Sequence, residues 1–262
     1  MSDLPLIPFA LTPARNLQLL HLGGFARAPE VVLVDDPARG DFCRLLNHTN
    51  NLAFGGETNM GMPPWVMLDC GILSCAIVGF AMRREDLPDG LADVIGVPDG
   101  YDDLVPVSEY CACPTLEPHS VSGFSLQAQL TGHGVATRTK ALSLAIYGSR
   151  SQIGVTQFDN PAIRVHAKLG PMQITLHRPS VHTHAANSFA YRLELPDRAT
   201  LVAIADGELR ANVCPRPYGE FLDFDPNDES HHARLREHVA SGEPVHIVPP
   251  GWVDGLLPMV FG

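Results

Sequence analysis

The sequence has few basic residues, no long apolar run and no serine-hydrolase or Walker signature. Lysine and arginine total 18 against 29 aspartates and glutamates, which gives a net charge of −11 over 262 residues. A nucleic-acid-binding domain normally carries a basic stripe, so this balance argues against a nucleic-acid partner. The acidic charge allows a cationic substrate, although acidity that serves solubility alone is common in cytoplasmic proteins.

The longest apolar run, Cys70 to Met82, falls short of the about 20 residues that a membrane-spanning helix needs. The N-terminus has no basic opening, and Pro5, Pro8 and Pro13 interrupt its apolar residues. We therefore predict no membrane partner and no signal peptide. Six cysteines without a secretory leader then indicate reduced thiols in a cytoplasmic protein.

Serine-hydrolase and zinc chemistry both lack their usual motifs. The sequence contains no G-x-S-x-G elbow, and the spacing of Cys111 and Cys113 suits zinc poorly. The stretch HRPSVHTH contains His177, His182 and His184, but no carboxylate lies close by in sequence to complete a ligand set. We predict no bound metal, and we keep a histidine-rich, metal-dependent protein as one alternative.

Apolar periodicity divides the chain into alternating strands and helices. A β-branched run or a strict apolar–polar alternation predicts a strand, and a capped segment with helical spacing predicts a helix. We expect strands at 31–34, 64–71, 74–85, 123–129, 152–158, 172–178 and 188–196, and helices at 35–51, 133–147 and 159–170. The order is that of a mixed α/β fold. Residues 86–106, rich in Asp, Pro and Gly, are expected to form a loop.

We expect three parts along the chain. Residues 1–30 form a proline-punctuated arm, 31–196 the main domain, and 197–262 a C-terminal extension packed on it. Within the extension we predict two strands at 199–213 around Asp206–Gly207, a good hairpin dipeptide. An exposed helix is expected at 229–241.

The most informative stretch is the turn QLTGHG, from Gln129 to Gly134, between a predicted strand and a predicted helix. A helix N-terminus leaves backbone N–H groups without partners, and its dipole favours a negative charge nearby. Glycines in the turn let a phosphate approach the backbone with no Cβ in the way. The turn lacks both the lysine and hydroxyl pair of a Walker loop and the third glycine of a dinucleotide fingerprint. It is either a phosphate cradle of another type or a turn whose glycines serve sterics alone.

Gln129-x-x-Gly132-x-Gly134 resembles the Q/R-x-x-G-x-G/A signature of the GNAT-type N-acyltransferases, which bind the pyrophosphate of acyl-coenzyme A. Further along, DNPAIRVHAKLG (residues 159–170) resembles the second landmark of that family, an Asn followed by an Ala and an aromatic-x-Lys-Leu-Gly run. The strand between the landmarks and the strand pair after them fall where the family has them. The resemblance covers roughly residues 31–196.

The resemblance implies a central mixed, mostly antiparallel sheet with a V-shaped splay, flanked by helices. It implies acetyl-CoA or another acyl-CoA as co-substrate, with the pantetheine arm hydrogen-bonded along Ser125, Leu126 and Gln127. Gln129 would fix the loop, and Asn160 would face the pantetheine, although Asn160 suits a helix cap equally well. The N–H groups around the pyrophosphate would be those of Leu130, Thr131, Gly132, His133, Gly134 and Val135.

Two positions depart from the family pattern. His166 stands where the family usually has a tyrosine that protonates the leaving thiolate, and Pro171 replaces the usual Phe after the final Gly. A histidine with an ordinary pKa near 6.5 could act as that acid, or it could be a packed side chain bonded to backbone. The loop also lacks a flanking basic residue, and Arg138 and Lys140 could replace it from within the helix.

Direct attack by an amine also requires a base that removes a proton from the nitrogen. Glu109 and Glu117 flank the stretch YCACPTL just before the predicted coenzyme strand, and His119 is a third option. Their spacing does not separate a base from an ordinary surface residue, so all three stay open.

The expected function is transfer of an acyl group, most simply acetyl, from CoA to a primary amine in a ternary complex. The acceptor, a small-molecule or peptide amine, would enter beside residues 47–62 and 107–120. A homodimer is compatible with the sequence. The missing tyrosine motivates an alternative from another class, a catalytically silent GNAT-fold module that binds coenzyme or a protein partner.

Overall fold

The computed structural model describes residues 4–54, 61, 63–65, 69, 76–178, 187–211 and 217–262. The chain divides into two compact units. Unit 1 comprises Met1–Pro114, Phe124–Gly148 and Leu201–Glu208, and unit 2 comprises Thr115–Gly123, Ser149–Thr200 and Leu209–Gly262. Most of the predicted strand 64–71, together with residues 74 and 75, His182 and His184, lies outside the described residues.

Unit 1 is built on a sheet with the strand order β2-β1-β3-β4-β5. Strands β1 to β5 are Ile7–Thr12, Glu30–Leu33, Ile77–Met82, Val105–Pro114 and Ser120–Ala128. β1 pairs parallel with β2 and antiparallel with β3, and β3 pairs antiparallel with β4. Because β1 lies between β2 and β3, residues 7–12 are part of the sheet of unit 1. The sequence predicted an arm at 1–30 without specifying its secondary structure.

Helices α1 to α6 are Gly40–Phe54, Leu91–Ile95, Val135–Tyr147, Ile163–Leu169, Arg198–Asp206 and Glu229–Ser241. In unit 1, α1 covers one face of the sheet, where Phe42 packs edge-on against Phe9 with ring centroids 5.0 Å apart. α3 packs on the other face, where the hydroxyls of Ser108 and Thr139 are 2.7 Å apart. None of the helices in the described ranges is long and apolar enough to cross a membrane.

Unit 2 carries a sheet with the strand order β5-β6-β8-β7-β10-β11-β9. Strands β6 to β11 are Ser151–Gln157, Met172–His177, Ser188–Glu194, Glu220–Phe224, Val245–Ile247 and Leu257–Phe261. In this sheet order, every neighbouring pair from β6 onward is antiparallel, namely β6–β8, β8–β7, β7–β10, β10–β11 and β11–β9. β5 and β6 pair in parallel over three residues of each strand, Ser120–Ser122 with Ser151–Ile153. The prediction of a mixed, mostly antiparallel sheet flanked by helices is confirmed.

The hairpin predicted at 199–213 is wrong, because residues 198–206 form the helix α5. The buried residues Leu201, Val202, Ile204 and Ala205 recur at helical spacing, and the carboxylate of Asp197 accepts from the N–H of Thr200 at 2.8 Å. Gly207 follows the helix with φ of +84°, a conformation common just after helix C-termini as well as in hairpin turns. The predicted helix at 229–241 is confirmed as α6.

Candidate functional site

The glycine turn runs from the end of β5 into α3 within unit 1. Residues 131–134 are exposed, and the side chain of Leu130 is buried beneath them. Gly132 and Gly134 have φ of +80° and +73°, in the left-handed region that favours glycine. A Cβ built on either glycine would meet no atom within 4 Å. The turn therefore has an open, side-chain-free backbone directly before a helix N-terminus, the arrangement that a phosphate needs.

The end of β5 is tied to α1 by a chain of amide hydrogen bonds. Nε2 of Gln129 donates to the carbonyl oxygen of Thr49 and to Oε1 of Gln127, each at 3.0 Å. Nε2 of Gln127 donates in turn to the hydroxyl of Thr49 at 3.2 Å. The backbone N–H of Gln129 donates to the carbonyl oxygen of Val107 at 2.8 Å. Through these bonds Gln129 joins the start of the turn to α1 and to β4.

The stretch of β5 before the turn alternates in burial. Ser125 and Gln127 are buried, Leu126 is half-buried, and Phe124 is exposed. Oγ of Ser125 has no hydrogen-bond partner in the described part of the chain. A buried hydroxyl without a partner is uncommon in folded proteins, and it leaves Ser125 with hydrogen-bonding capacity for a bound molecule.

Arg138 and Lys140 do not take the place of the missing basic residue beside the turn. Nε of Arg138 donates to the carbonyl oxygen of Ala205 at 2.8 Å, and its guanidinium lies 5.3 Å from the ring centroid of Phe80. Lys140 is fully buried, and burial lowers the pKa of its ammonium well below the usual range. A phosphate at the turn would therefore depend on backbone N–H groups and the helix dipole of α3.

Glu109 lies in the middle of β4 on the face that α1 covers. Cys111, two residues along the strand and so on the same face, packs in a buried cluster with Phe42 of α1. The cross-strand neighbour of Glu109 is Gly79, where an added Cβ would lie 2.9 Å from the ring of Phe9. The carboxyl is fully buried, and neither oxygen has a hydrogen-bond partner among the described residues.

Burial in these surroundings raises the pKa of Glu109 well above the ordinary value, because the charged form loses its hydration. A carboxylate with a raised pKa is a stronger base than an ordinary surface carboxylate. Perturbed buried carboxyls of this kind are frequent at functional sites. Of the two glutamates considered from the sequence, Glu109 is the one whose carboxyl is buried and whose pKa is raised.

The other two candidate bases lie in unit 2. The guanidinium of Arg192 donates to both carboxylate oxygens of Glu117, at 2.7 and 2.8 Å. These hydrogen bonds lower the pKa of Glu117, which makes its carboxylate a weaker base. His119 is exposed at a turn with φ of +59°, and its carbonyl oxygen accepts from the N–H of Arg150 at 2.7 Å. Its position is that of a turn residue.

Asn160 and His166 also lie in unit 2, at the start and in the middle of the α4 segment. Oδ1 of Asn160 accepts from the N–H of Ala162 at 2.8 Å, so the side chain caps the turn that leads into the helix. His166 is buried, and its ring stacks on that of Tyr191 with centroids 5.3 Å apart and planes 30° apart. His166 is therefore a packed side chain whose ring contacts Tyr191, one of the two roles considered for it.

Tyr191 of β8 was not among the residues singled out from the sequence. Its Oη accepts a hydrogen bond from Nε2 of Gln152 at 2.9 Å, and it lies over Gly154 of β6. A glycine inside a predicted strand often marks a close approach of another group to the backbone. Gly154 was therefore the available signal, although it does not say which side chain approaches.

Of the three histidines in the stretch HRPSVHTH, His177 is the one that lies within the described residues. Its Nε2 lies 2.9 Å from Nδ1 of His232. Within the described ranges, no group of three or more His, Cys, Asp or Glu side chains is arranged to hold a metal ion.

No family model and no curated protein sequence matches the chain. Solved structures similar to it include the NatC complex bound to Gag peptide and CoA, with 11% identity, a TM-score of 0.42, and coverage of 62% of this chain and 95% of that one. An aminoglycoside 6'-acetyltransferase type Ii has 15% identity, a TM-score of 0.39, and coverage of 62% and 94%. An acetyltransferase of the GNAT family from Bacillus anthracis has 12% identity, a TM-score of 0.39, and coverage of 60% and 89%.

The description of the Bacillus anthracis protein names the GNAT family, which the two motifs of this chain resemble. Unit 1 contains the glycine turn, the strand segment Ser125 to Gln127 and Glu109. Asn160, His166 and Tyr191 lie in unit 2.

Proposed function

We propose that the protein is an acyl-CoA-dependent N-acyltransferase that moves an acyl group, most simply acetyl, to a primary amine. The observation that carries the proposal is the exposed turn at Gly132 and Gly134, anchored through Gln129 and continued directly by α3. An acyl-CoA fits this turn because its pyrophosphate is a compact anion that needs N–H donors and no intervening side chain. When bound, the thioester supplies the activated acyl group.

The strand before the turn suits the pantetheine arm. Pantetheine carries two amides, which can hydrogen-bond along a strand as an added strand does. Ser125 to Gln127 directly precede Ala128, Gln129 and the turn, so an arm leading away from the pyrophosphate would follow them. The unpartnered Oγ of Ser125 adds a polar group on this strand.

We assign the role of general base to Glu109. A primary amine is mostly an ammonium ion at neutral pH, with a pKa near about 10 by analogy with lysine, and only the free amine can attack a thioester. A carboxyl with a raised pKa accepts that proton, directly or through a water molecule, more readily than an ordinary one. The net charge of −11 agrees with a cationic acceptor.

The experiment is calorimetric titration of the protein with acetyl-CoA, followed by measurement of free thiol release in the presence of a panel of small and peptide amines. We expect saturable binding, and thiol release that depends on an amine. Binding without thiol release for any amine would favour the catalytically silent module that the replacement of tyrosine by His166 motivates. Absence of binding would refute both.

The glycine turn is tested by Gly134→Ala with Gly90→Ala as the matched control. Both glycines are N-caps of helices, both have φ near the same value, +73° and +76°, and both face open space. The strain of a positive φ is therefore alike, at about 1 kcal/mol for each. We expect Gly134→Ala to weaken acetyl-CoA binding at least tenfold and Gly90→Ala to leave it within twofold. Equal effects would remove the turn from the site.

A further inference from the structure

Asn50 of α1 is a fully buried amide whose oxygen is not used by the described protein. Its Nδ2 donates to Oδ1 of Asn51 at 3.4 Å, and Nδ2 of Asn51 donates in turn to Oδ1 of Asn47 at 3.3 Å. Oδ1 of Asn50 has no hydrogen-bond partner among the described residues. Because this chain of amides uses the nitrogen end of the Asn50 side chain, the end that remains is an oxygen, which can only accept.

The side chain of Asn50 lies on the face of α1 that packs on the sheet of unit 1. Phe42, Leu46 and Asn50 are buried and recur at every fourth position, so they share one face of the helix. Phe42 and Leu46 pack with Cys111 of β4 in one buried cluster. Asn50 therefore continues, one turn further along α1, a stripe that covers β4.

This part of α1 passes over Glu109. On one side of Glu109 along β4, Cys111 packs in the cluster with the first half of α1. On the other side, the carbonyl oxygen of Val107 accepts from the backbone N–H of Gln129, whose side chain donates to the carbonyl oxygen of Thr49 of α1. The helix thus crosses from the level of Cys111 to the level of Val107. Glu109 lies between these two levels, in the layer between α1 and β4 that also contains Asn50.

The layer between α1 and β4 has more acceptors than the described protein can satisfy. Both carboxyl oxygens of Glu109 and Oδ1 of Asn50 are buried and lack a hydrogen-bond partner in the described part of the chain. Buried polar atoms of this kind are normally satisfied by water or by a bound molecule. A primary ammonium group has three N–H donors and a positive charge, as the lysine side chain has. It therefore matches three acceptor atoms of which two belong to an ionisable carboxyl.

We propose that Asn50 is a specificity-determining residue that accepts a hydrogen bond from the acceptor nitrogen through Oδ1, and so selects primary amines. The inference rests on the proposed acyl transfer. While the acceptor is an ammonium ion, two of its N–H groups donate to Glu109 and the third donates to Asn50. One N–H bond then breaks, the proton forms an O–H bond on the carboxylate of Glu109, and the electron pair stays on nitrogen. The hydrogen bond to Asn50 holds the nitrogen during this transfer.

Selectivity follows from the number of N–H groups that an acceptor brings into the layer. A secondary ammonium has two, so it leaves one buried oxygen unpaired and places a carbon atom against it. An alcohol brings a single O–H and no charge. A site whose buried polar groups are made to bond a substrate N–H rejects analogues that lack it, because those groups then stay unpaired.

The kinetic test compares n-butylamine with N-methylbutylamine as acceptors in amine-dependent thiol release. We expect the wild type to favour the primary amine about 100-fold in kcat/KM, and Asn50→Leu to favour it less than about fivefold, with KM for acetyl-CoA within twofold. Asn50→Asp keeps an acceptor oxygen and should retain a preference of at least about tenfold. An unchanged preference in Asn50→Leu would overturn the assignment.

The matched control for the kinetic test is Gln152→Leu. Gln152 of β6, in unit 2, is also a fully buried amide whose oxygen has no hydrogen-bond partner in the described ranges. The control therefore removes the same kind of group from a different place in the fold. It should keep the wild-type preference for n-butylamine. An equal loss of preference in Gln152→Leu would show a general effect of removing a buried amide and overturn the assignment.

A binding measurement tests Asn50 without turnover. We expect n-butylammonium chloride, compared with sodium chloride at the same ionic strength, to raise the Tm of the wild type and not that of Asn50→Leu. Without amine, Asn50→Leu should be at least as stable as the wild type, since an apolar group replaces an unpaired buried oxygen. No rise in the wild type, or equal rises in both proteins, would overturn the assignment. Binding of n-butylammonium without thiol release from any amine would refute the proposed function while supporting the role of Asn50 in ammonium recognition.

Discussion

Nε of Arg138 on α3 lies 2.8 Å from the carbonyl oxygen of Ala205, at the C-terminal end of α5. The same guanidinium donates to the carbonyl oxygen of Asp206 at 3.3 Å. The last carbonyl groups of a helix lack intrahelical partners, and the helix dipole favours a cation there. Arg138 therefore joins α3 to the C-terminal end of α5. Its side chain does so although the residue lies only four positions after Gly134 of the turn.

Arg138→Met is expected to lower the free energy of unfolding by about 2 kcal/mol, because two carbonyl groups lose a charged donor while much of the apolar stem is kept. The affinity for acetyl-CoA should stay within twofold of the wild type. Chemical denaturation and calorimetry measure the two quantities. Arg210→Met, at an exposed arginine, is the control and should change neither. A tenfold loss of affinity in Arg138→Met would place its guanidinium on the phosphates instead.

Glu109→Gln is expected to separate stability from activity. The folded-state pKa of Glu109 is raised above its unfolded value, so its favourable contribution is complete below about pH 4.5 and is lost as the pH rises through the raised pKa. The wild type should therefore lose stability relative to Glu109→Gln as the pH rises above about 4.5. Denaturation at several pH values measures this, with the exposed Glu85→Gln as a control that should follow the wild type.

The activity of Glu109→Gln tests its role as base. At neutral pH we expect kcat/KM to fall about 100-fold, within the range found for loss of a general base. The deficit should shrink as the pH approaches the pKa of the amine acceptor, because an amine that is already neutral needs no base. A deficit that is the same at every pH would argue that Glu109 acts in some other way.

The sequence predicted those features that depend on residues close together in the chain. The turn at Gly132 and Gly134 and the α4 segment after Asn160 follow from local punctuation, and both form where expected. The C-terminal strands β10 and β11 were missed, because β10 is only three residues long and pairs on one side with β11 and on the other with β7, which is distant in sequence. Gly207 was assigned to a hairpin because a glycine with positive φ serves hairpins and helix ends alike.

The candidate site shows the same division. Glu109 was one of three open bases, since neither its burial nor the approach of Phe9 to Gly79 can be deduced from spacing along the chain. The contacts of Tyr191 could not be predicted, because they are made with Gln152 and Gly154 on another strand. Arg138 was considered for phosphate because its sequence position is near the turn, whereas the packing of α5 decides where its side chain lies.

From the contact between His177 and His232 we expect the free energy of unfolding to fall in acid. Nε2 of His232 lies 2.8 Å from the carbonyl oxygen of Pro226, which can only accept, so Nδ1 of His232 accepts from Nε2 of His177. Burial lowers the pKa of His177 to about 4, with His232, Arg178 and Arg236 adding to the effect and Glu229 opposing it. Its contribution to stability is complete above the unfolded value of 6.5 and is lost as the pH falls toward 4.

His177→Gln tests this contribution, because the amide can donate to Nδ1 of His232 but does not titrate. We expect the variant to lose less stability than the wild type between about pH 7 and about pH 4.5, by about 1 kcal/mol because His177 is partly exposed to screening solvent. Urea denaturation at the two pH values gives the comparison. The exposed His119→Gln is the control. Parallel losses in the wild type and His177→Gln would contradict the assignment.

Gln129→Met is expected to weaken acetyl-CoA binding about tenfold, which corresponds to about 1.4 kcal/mol, the order of one hydrogen bond. The methionine keeps the length of the side chain but cannot donate to Thr49 or Gln127, so the end of β5 is no longer tied to α1. The affinity falls because the turn, once released from this anchor, has to become ordered when acetyl-CoA binds. KM should therefore rise, while kcat stays within twofold. Gln173→Met, at a half-buried strand glutamine of unit 2, is the matched control and should leave KM unchanged. An unchanged KM in Gln129→Met would mean that the turn keeps its conformation without this anchor.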